Sequence, residues 1–186
     1  MMFERYLIEN CAPTLASLKT ANLFRYTYDT EEELKESVEK WNEQFTPKGV
    51  SVEILYQTKE WALVYVYRQI ALERDLHRDG TEQLLARCGY GTKITVETAI
   101  AYLKTRLQAN DGFPHEIGLF LGYPLEDVIG FIRNRGHNSK CTGYWKVYGD
   151  ATEAVRTFAK FRKCQDVYGR LWKEGRRSVL QLTVAV

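Results

Sequence analysis

Residues 113–132, FPHEIGLFLGYPLEDVIGFI, hold two of the chain's four prolines, and this constrains the local fold more than any other feature. Proline lacks an N–H and fixes φ, which bars it from a helix interior but suits the first turn. Pro114 and Pro124 therefore each predict a helix start, and Gly122 predicts the end of the first helix. The expectation is two short apolar helices meeting at a Gly-Tyr-Pro corner, with Ile117, Leu121, Val128 and Ile132 facing the core.

Periodicity organises the remainder. A short helix is expected to begin near Pro13, and residues 21–28 (ANLFRYTY) read as an aromatic-rich strand. Thr30 and Glu33 have capping-box spacing in front of a helix with apolar positions Leu34, Val38, Trp41 and Phe45. Residues 50–56 and 61–68 are β-rich runs joined through the polar QTKE, as in a hairpin. From about residue 69 to 135 the pattern is helical, with a stripe at Val96, Ala99, Ile100, Leu103 and Leu107. Residues 144–148 (YWKVY) return to strand. Asp150 and Glu153 repeat the capping box before a long helix to about Lys173, and the tail SVLQLTV reads as a last strand. Strand, capped helix and strand thus occur at both 22–56 and 144–184, as a degenerate β-α-β duplication would produce. The predicted fold is a single α+β domain over residues 1–186. Its mixed or antiparallel sheet is drawn from N- and C-terminal strands around a central helical block.

Composition narrows the function classes. A chain of 186 residues with 45% hydrophobic content can bury one substantial core. A net charge of +2 predicts neither nucleic-acid nor membrane-surface binding. The opening MMFERYLIENCAP is too polar for a signal peptide, and no run approaches the ~20 apolar residues of a membrane span. A cytoplasmic, non-membrane protein is expected. Cys11, Cys88, Cys141 and Cys164 have irregular spacing and no CxxC pair, so reduced thiols are expected. His137 and Cys141, in the loop HNSKC, supply at most two metal ligands, and no metal site is expected.

The residues with chemical potential are few. His115 and Glu116 fall in the first turn of a predicted helix, where the macrodipole favours an anion and lowers a histidine pKa. His115 would then serve as a base or a ligand-contacting group, in a pocket with Tyr123 and Tyr148 that suits a small anionic or aromatic molecule. Against a catalytic pair, adjacent helical residues diverge by about 100° and no HExxH spacing is present. Cys11, placed just before a predicted helix start, is the candidate reactive thiol. The spacing of Ile117, Gly118, Leu121, Gly122, Asp127, Val128 and Ile132 also matches a helix-turn-helix. Glu126 and Asp127 at the opening of its second helix argue against DNA binding, because phosphates call for donors there.

Charge is unevenly distributed. Residues 154–177 carry eight basic and two acidic side chains, whereas residues 31–43 carry six acidic and two basic. That asymmetry suits an acidic protein partner at the basic helix, or a homodimer.

The run FPHEIGLFLGYPLEDVIGFI, together with GYWKVY at 143–148 and CAPTLASLKTANLF near the N-terminus, resembles an uncharacterised bacterial family catalogued as domain of unknown function 3793. The likeness covers nearly the whole chain. It implies a small soluble bacterial protein with no assigned activity or cofactor, and it raises a redox- or iron-linked accessory role. Three functional classes follow from the residues and the resemblance together. The first is a ligand-binding or accessory protein contacting its ligand through His115, Glu116, Tyr123 and Tyr148. The others are an enzyme using Cys11 or His115 with Glu116, and a helix-turn-helix-like DNA-binding protein.

Overall fold

The computed structural model describes residues 2–109 and 112–185 and shows a mixed α+β protein with small antiparallel sheets. The chain divides into two compact units, residues 1–71 with 163–186 and residues 72–162.

The first unit is built on a three-stranded antiparallel sheet ordered β1-β3-β2, from β1 (Ala21–Thr27), β2 (Val50–Gln57) and β3 (Trp61–Arg68). Alternation fixes the register: Phe24 lies opposite Val64, and Val52 opposite Val66, so their side chains share one face. Helices α1 (Met2–Leu15) and α2 (Glu31–Phe45) pack on the sheet, burying Leu7, Ile8, Leu34 and Trp41 against those strands. Thr30 caps α2 by accepting from the Glu33 N–H at 3.2 Å, and Glu33 Oε2 accepts from the Asp29 N–H at 3.2 Å. Asn42 on α2 donates to Val52 O at 2.8 Å and accepts from Val52 N at 2.7 Å, so a side chain pairs with the outer edge of β2.

The N-terminal helix corrects the sequence reading. It does not start near Pro13; it runs Met2–Leu15 with Pro13 in its last turns. Proline there withholds the N–H that Glu9 O would accept, and Gln165 Nε2 supplies the missing donor at 3.2 Å. Arg68, 3% exposed, joins this helix end to the C-terminal segment, donating to Thr14 O at 2.6 Å, Leu15 O at 2.7 Å and Val184 O at 2.8 Å. A buried guanidinium at a helix C-terminus is stabilised by the macrodipole as well as by these bonds.

The tail is a second correction. SVLQLTV forms a helical turn, α9 (Val179–Leu182), and not a strand. Ser178 and Gln181 make a reciprocal capping box, a local signal that outweighs the apolar alternation. The three-stranded sheet therefore takes no strand from the C-terminal half, and the second half of the anticipated β-α-β repeat lacks its closing strand.

The second unit contains α4 (Thr81–Arg87), α5 (Val96–Gln108), α6 (Ile117–Phe120) and α7 (Leu125–Asn134). It also holds a two-stranded ribbon of β4 (Cys141–Thr142) and β5 (Lys146–Val147). The expected strand at 144–148 is thus reduced to β5 and pairs only with β4. Two helices, α3 (Gln69–Leu76) and α8 (Ala151–Lys173), carry the chain from one unit into the other. Asp150 caps α8 as anticipated, its Oδ1 accepting from Glu153 N at 3.0 Å. Val96, Ala99, Ile100 and Leu103 of α5 are buried, whereas Leu107 is half-buried.

Candidate functional site

The corner at residues 122–124 forms as expected. Gly122 has φ 73° and ends α6, and α7 begins directly after Pro124. Ile117, Leu121 and Val128 are buried, but Ile132 is only half-buried. The first helix is also shorter than expected. Residues 114–116 form a turn, with Ile117 N donating to Pro114 O at 3.1 Å, and α6 itself is a single turn. So short an element has little macrodipole, which removes the basis for assigning His115 and Glu116 to a helix N-terminus. Gly118 permits the tight α6–α7 packing, because a Cβ there would sit 2.8 Å from Val128 Cγ2.

Asp127 locks the segment after β4 onto α7. The side chain is 3% exposed, and its Oδ2 accepts from Trp145 Nε1 at 2.7 Å. Its Oδ1 accepts from the backbone N–H groups of Tyr148 and Gly149, both at 2.7 Å. Two glycines complete the fit: a Cβ at Gly130 would collide with the Tyr148 ring, and one at Gly149 with the Glu126 carboxyl. Tyr123 stacks on Trp145 at 4.8 Å and donates to Tyr144 O at 3.2 Å, and burial pushes its phenol up to about 12. The Asp127 carboxylate is therefore consumed internally, and of the two acids that open α7 only Glu126 is exposed.

His115 and Glu116 take different environments. His115 is exposed, and Glu116 is 2% exposed. Glu116 Oε1 accepts from Arg106 Nε of α5 at 3.0 Å and from the Tyr90 hydroxyl at 3.4 Å. Burial, and then the Glu116 charge, push the Tyr90 phenol up, while the Arg106 guanidinium is raised by its bond to Glu116. Glu116 is thus an anchor that ties the 114–117 turn to α5. It is not a free carboxylate.

Outside that anchor lies an aromatic and cationic surface. The His115 imidazole rests on the Phe131 ring at 4.9 Å and lies 6.1 Å from the ring of Phe113, which is 53% exposed. The Lys146 ammonium is 6.0 Å from the centre of the same Phe131 ring and donates to Gly136 O at 2.6 Å. Gly136, at φ 76°, brings the chain so close that a Cβ would stand 3.2 Å from Phe131. Lys146 has two ammonium hydrogens beyond the one given to Gly136 O.

Two other anticipated site residues take different positions. The Tyr148 ring packs over Gly130, and its buried hydroxyl has no hydrogen-bond partner among the described residues. Cys11 is fully buried inside α1, well past the helix start, and burial pushes its thiol up, the opposite of activation. Sequence reasoning missed Phe131 and Lys146. Lys146 alternates with buried Val147 in YWKVY, a signal that could have placed it outward but does not name its ring partner. Among the described residues, no group of three or more His, Cys, Asp or Glu side chains is placed to hold a metal ion, and no helix is long and apolar enough to cross a membrane.

Fold and surface together define an α+β protein that presents an imidazole, two phenyl rings and an ammonium on a rigidly tied corner. A family model described as "Protein of unknown function (DUF3793)" matches residues 7–183, and the chain belongs to that family. No curated protein and no solved structure matches the chain.

Proposed function

We propose that this chain is a binding or accessory protein that holds a flat, anionic ligand on the surface formed by Phe113, His115, Phe131 and Lys146. The observation that carries the reading is the single Phe131 ring flanked by the exposed His115 imidazole at 4.9 Å and by the Lys146 ammonium at 6.0 Å. Aromatic faces supply area for stacking, and an imidazole and an ammonium supply donors for phosphate or carboxylate oxygens. Of the three candidates for catalysis, Cys11, His115 and Glu116, two are ill placed for it. Cys11 is enclosed with its thiol held protonated, and Glu116 is neutralised by Arg106.

Three probes test the reading by titration against intrinsic fluorescence: flavin mononucleotide, riboflavin and inorganic pyrophosphate. The first combines ring and charge, the second lacks the phosphate, and the third lacks the ring. The expected order of affinity is flavin mononucleotide first, with each of the others weaker by about tenfold or more, since one lost charge-assisted contact or stack is worth about 1.5–3 kcal/mol. His115→Ala should weaken flavin mononucleotide while leaving the apo melting temperature nearly unchanged, because the side chain is exposed, and Lys146→Met should weaken it while also losing the bond to Gly136 O. Equal binding of all three probes, or of none, contradicts the proposal.

A further inference from the structure

We infer that this chain pairs with a second copy of itself across the outer face of α8, the two helices crossing antiparallel with Gly169 at the crossing point. Gly169 lies inside α8, where glycine weakens a helix relative to alanine. Nothing among the described residues calls for it. Its backbone is helical, and a Cβ added there would meet no atom within 4 Å. The remaining physical use of a bare backbone is close approach by something from outside.

The surroundings of Gly169 identify the occupant. It opens onto a groove of about 640 Å³ walled by Ile8 and Glu9 of α1 and by Trp172 of α8. Of the charged groups lining it, Glu9 is paired with Arg5 at 2.8 Å and Glu174 with Arg176 at 3.0 Å. Among the described residues no ion pair joins Asp166, Arg170 or Lys173 to another side chain. Asp166 lies one turn before Gly169 and Lys173 one turn after it, on the same stripe of the helix. Laid antiparallel on its own copy with the two Gly169 backbones in contact, α8 places each Asp166 against the second copy's Lys173. Such pairing is isologous, closes at two subunits and satisfies both charges at once. Arg170, beside Asp166 on the next turn, adds a second donor at the same contact.

The test is sedimentation equilibrium of the full chain from micromolar to hundreds of micromolar concentration at low salt. A dimer is expected, weakened by salt because the pairs lie near the surface. Gly169→Leu and Asp166→Lys should each raise the dissociation constant about tenfold or more, a loss of about 1.4 kcal/mol. The double variant Asp166→Lys with Lys173→Asp reverses both charges and should restore association. Leucine is a better helix former than glycine, so circular dichroism should show Gly169→Leu fully helical. In a Cys88→Ser, Cys141→Ser background, Gly169→Cys should form a disulfide-linked dimer on oxidation, whereas Lys163→Cys, on another face of α8, should not. A monomer at every concentration, a dimer indifferent to Gly169→Leu, or a double variant no better than Asp166→Lys alone overturns the inference.

Discussion

Asp127 offers a test of how the corner is held together. Its carboxylate accepts three hydrogen bonds at 2.7 Å, one from Trp145 Nε1 and two from the backbone of residues 148 and 149, while being 3% exposed. A hydrogen bond to a charged group contributes about 1.5–3 kcal/mol, and removing the acceptor leaves its donors to find water or go unsatisfied. Asp127→Asn keeps an oxygen for the two backbone donors but turns an NH₂ toward the indole N–H. It should destabilise by about 2–3 kcal/mol, one lost charge-assisted bond. Asp127→Ala orphans all three donors. Because these bonds are part-buried, water recovers some of the loss, and about 3–5 kcal/mol is expected. Trp145→Phe removes the same indole bond from the other side, so the Asp127→Asn, Trp145→Phe pair should fall well short of additive. Urea unfolding followed by circular dichroism gives these differences from the midpoint at constant slope. If Asp127→Ala costs less than about 1 kcal/mol, below the net value of a single such bond, the carboxylate is not what fastens residues 145–149 to α7.

Further consequences are open to direct measurement. Gly130→Ala should destabilise by about 1–3 kcal/mol through overpacking against Tyr148, since neither the ring nor the helix backbone can retreat freely; unchanged urea midpoints would refute this. Lys19 is buried beside Cys11, and burial pulls its ammonium down from 10.5 to about 7. Between those values the unfolded chain holds a proton that the folded chain lacks, so stability should rise with pH through the window. The Cys11 thiol, held protonated above its ordinary 9.0, gives the opposite slope above that pH, which leaves pH 7 to 9 as the diagnostic range. Lys19→Met should flatten the rise there, and an unchanged slope would contradict the assignment. Under native conditions the half-buried Cys88 and Cys141 should react with a thiol reagent first, and Cys11 only as the protein unfolds; early labelling of Cys11 would count against its burial.

The elements that were legible in the sequence are those whose signals are local and chemically unambiguous. Thr30 and Asp150 announced the starts of α2 and α8, Gly122 and Pro124 announced the corner, and the alternation of residues 50–68 announced the hairpin. The two misreadings differ in cause: one hides a long-range partner, the other a local signal that competes with the apolar pattern. Pro13 was read as a helix start because a proline near a C-terminus leaves a carbonyl unpaired, yet Gln165, far away in sequence, supplies the donor. The tail was read as a strand from its apolar alternation, although Ser178 and Gln181 spelled a capping box there too. At the site, His115 was visible as the lone histidine of the helical corner. Its neighbours Phe131 and Lys146 were not, because ring contacts across a turn and a ribbon leave no periodic trace. That Arg106, ten residues before it on α5, holds Glu116 has no signature in the local sequence either.

The central claim, that the outward face of this corner is a ligand-binding surface, is tested most directly by mapping. Flavin mononucleotide titrated into isotopically labelled protein should move the backbone and ring signals of Phe113, His115, Phe131, Gly136 and Lys146 together, with one common dissociation constant, and the shifts should vanish in His115→Ala. Shifts centred elsewhere, or none at millimolar ligand, would contradict the account.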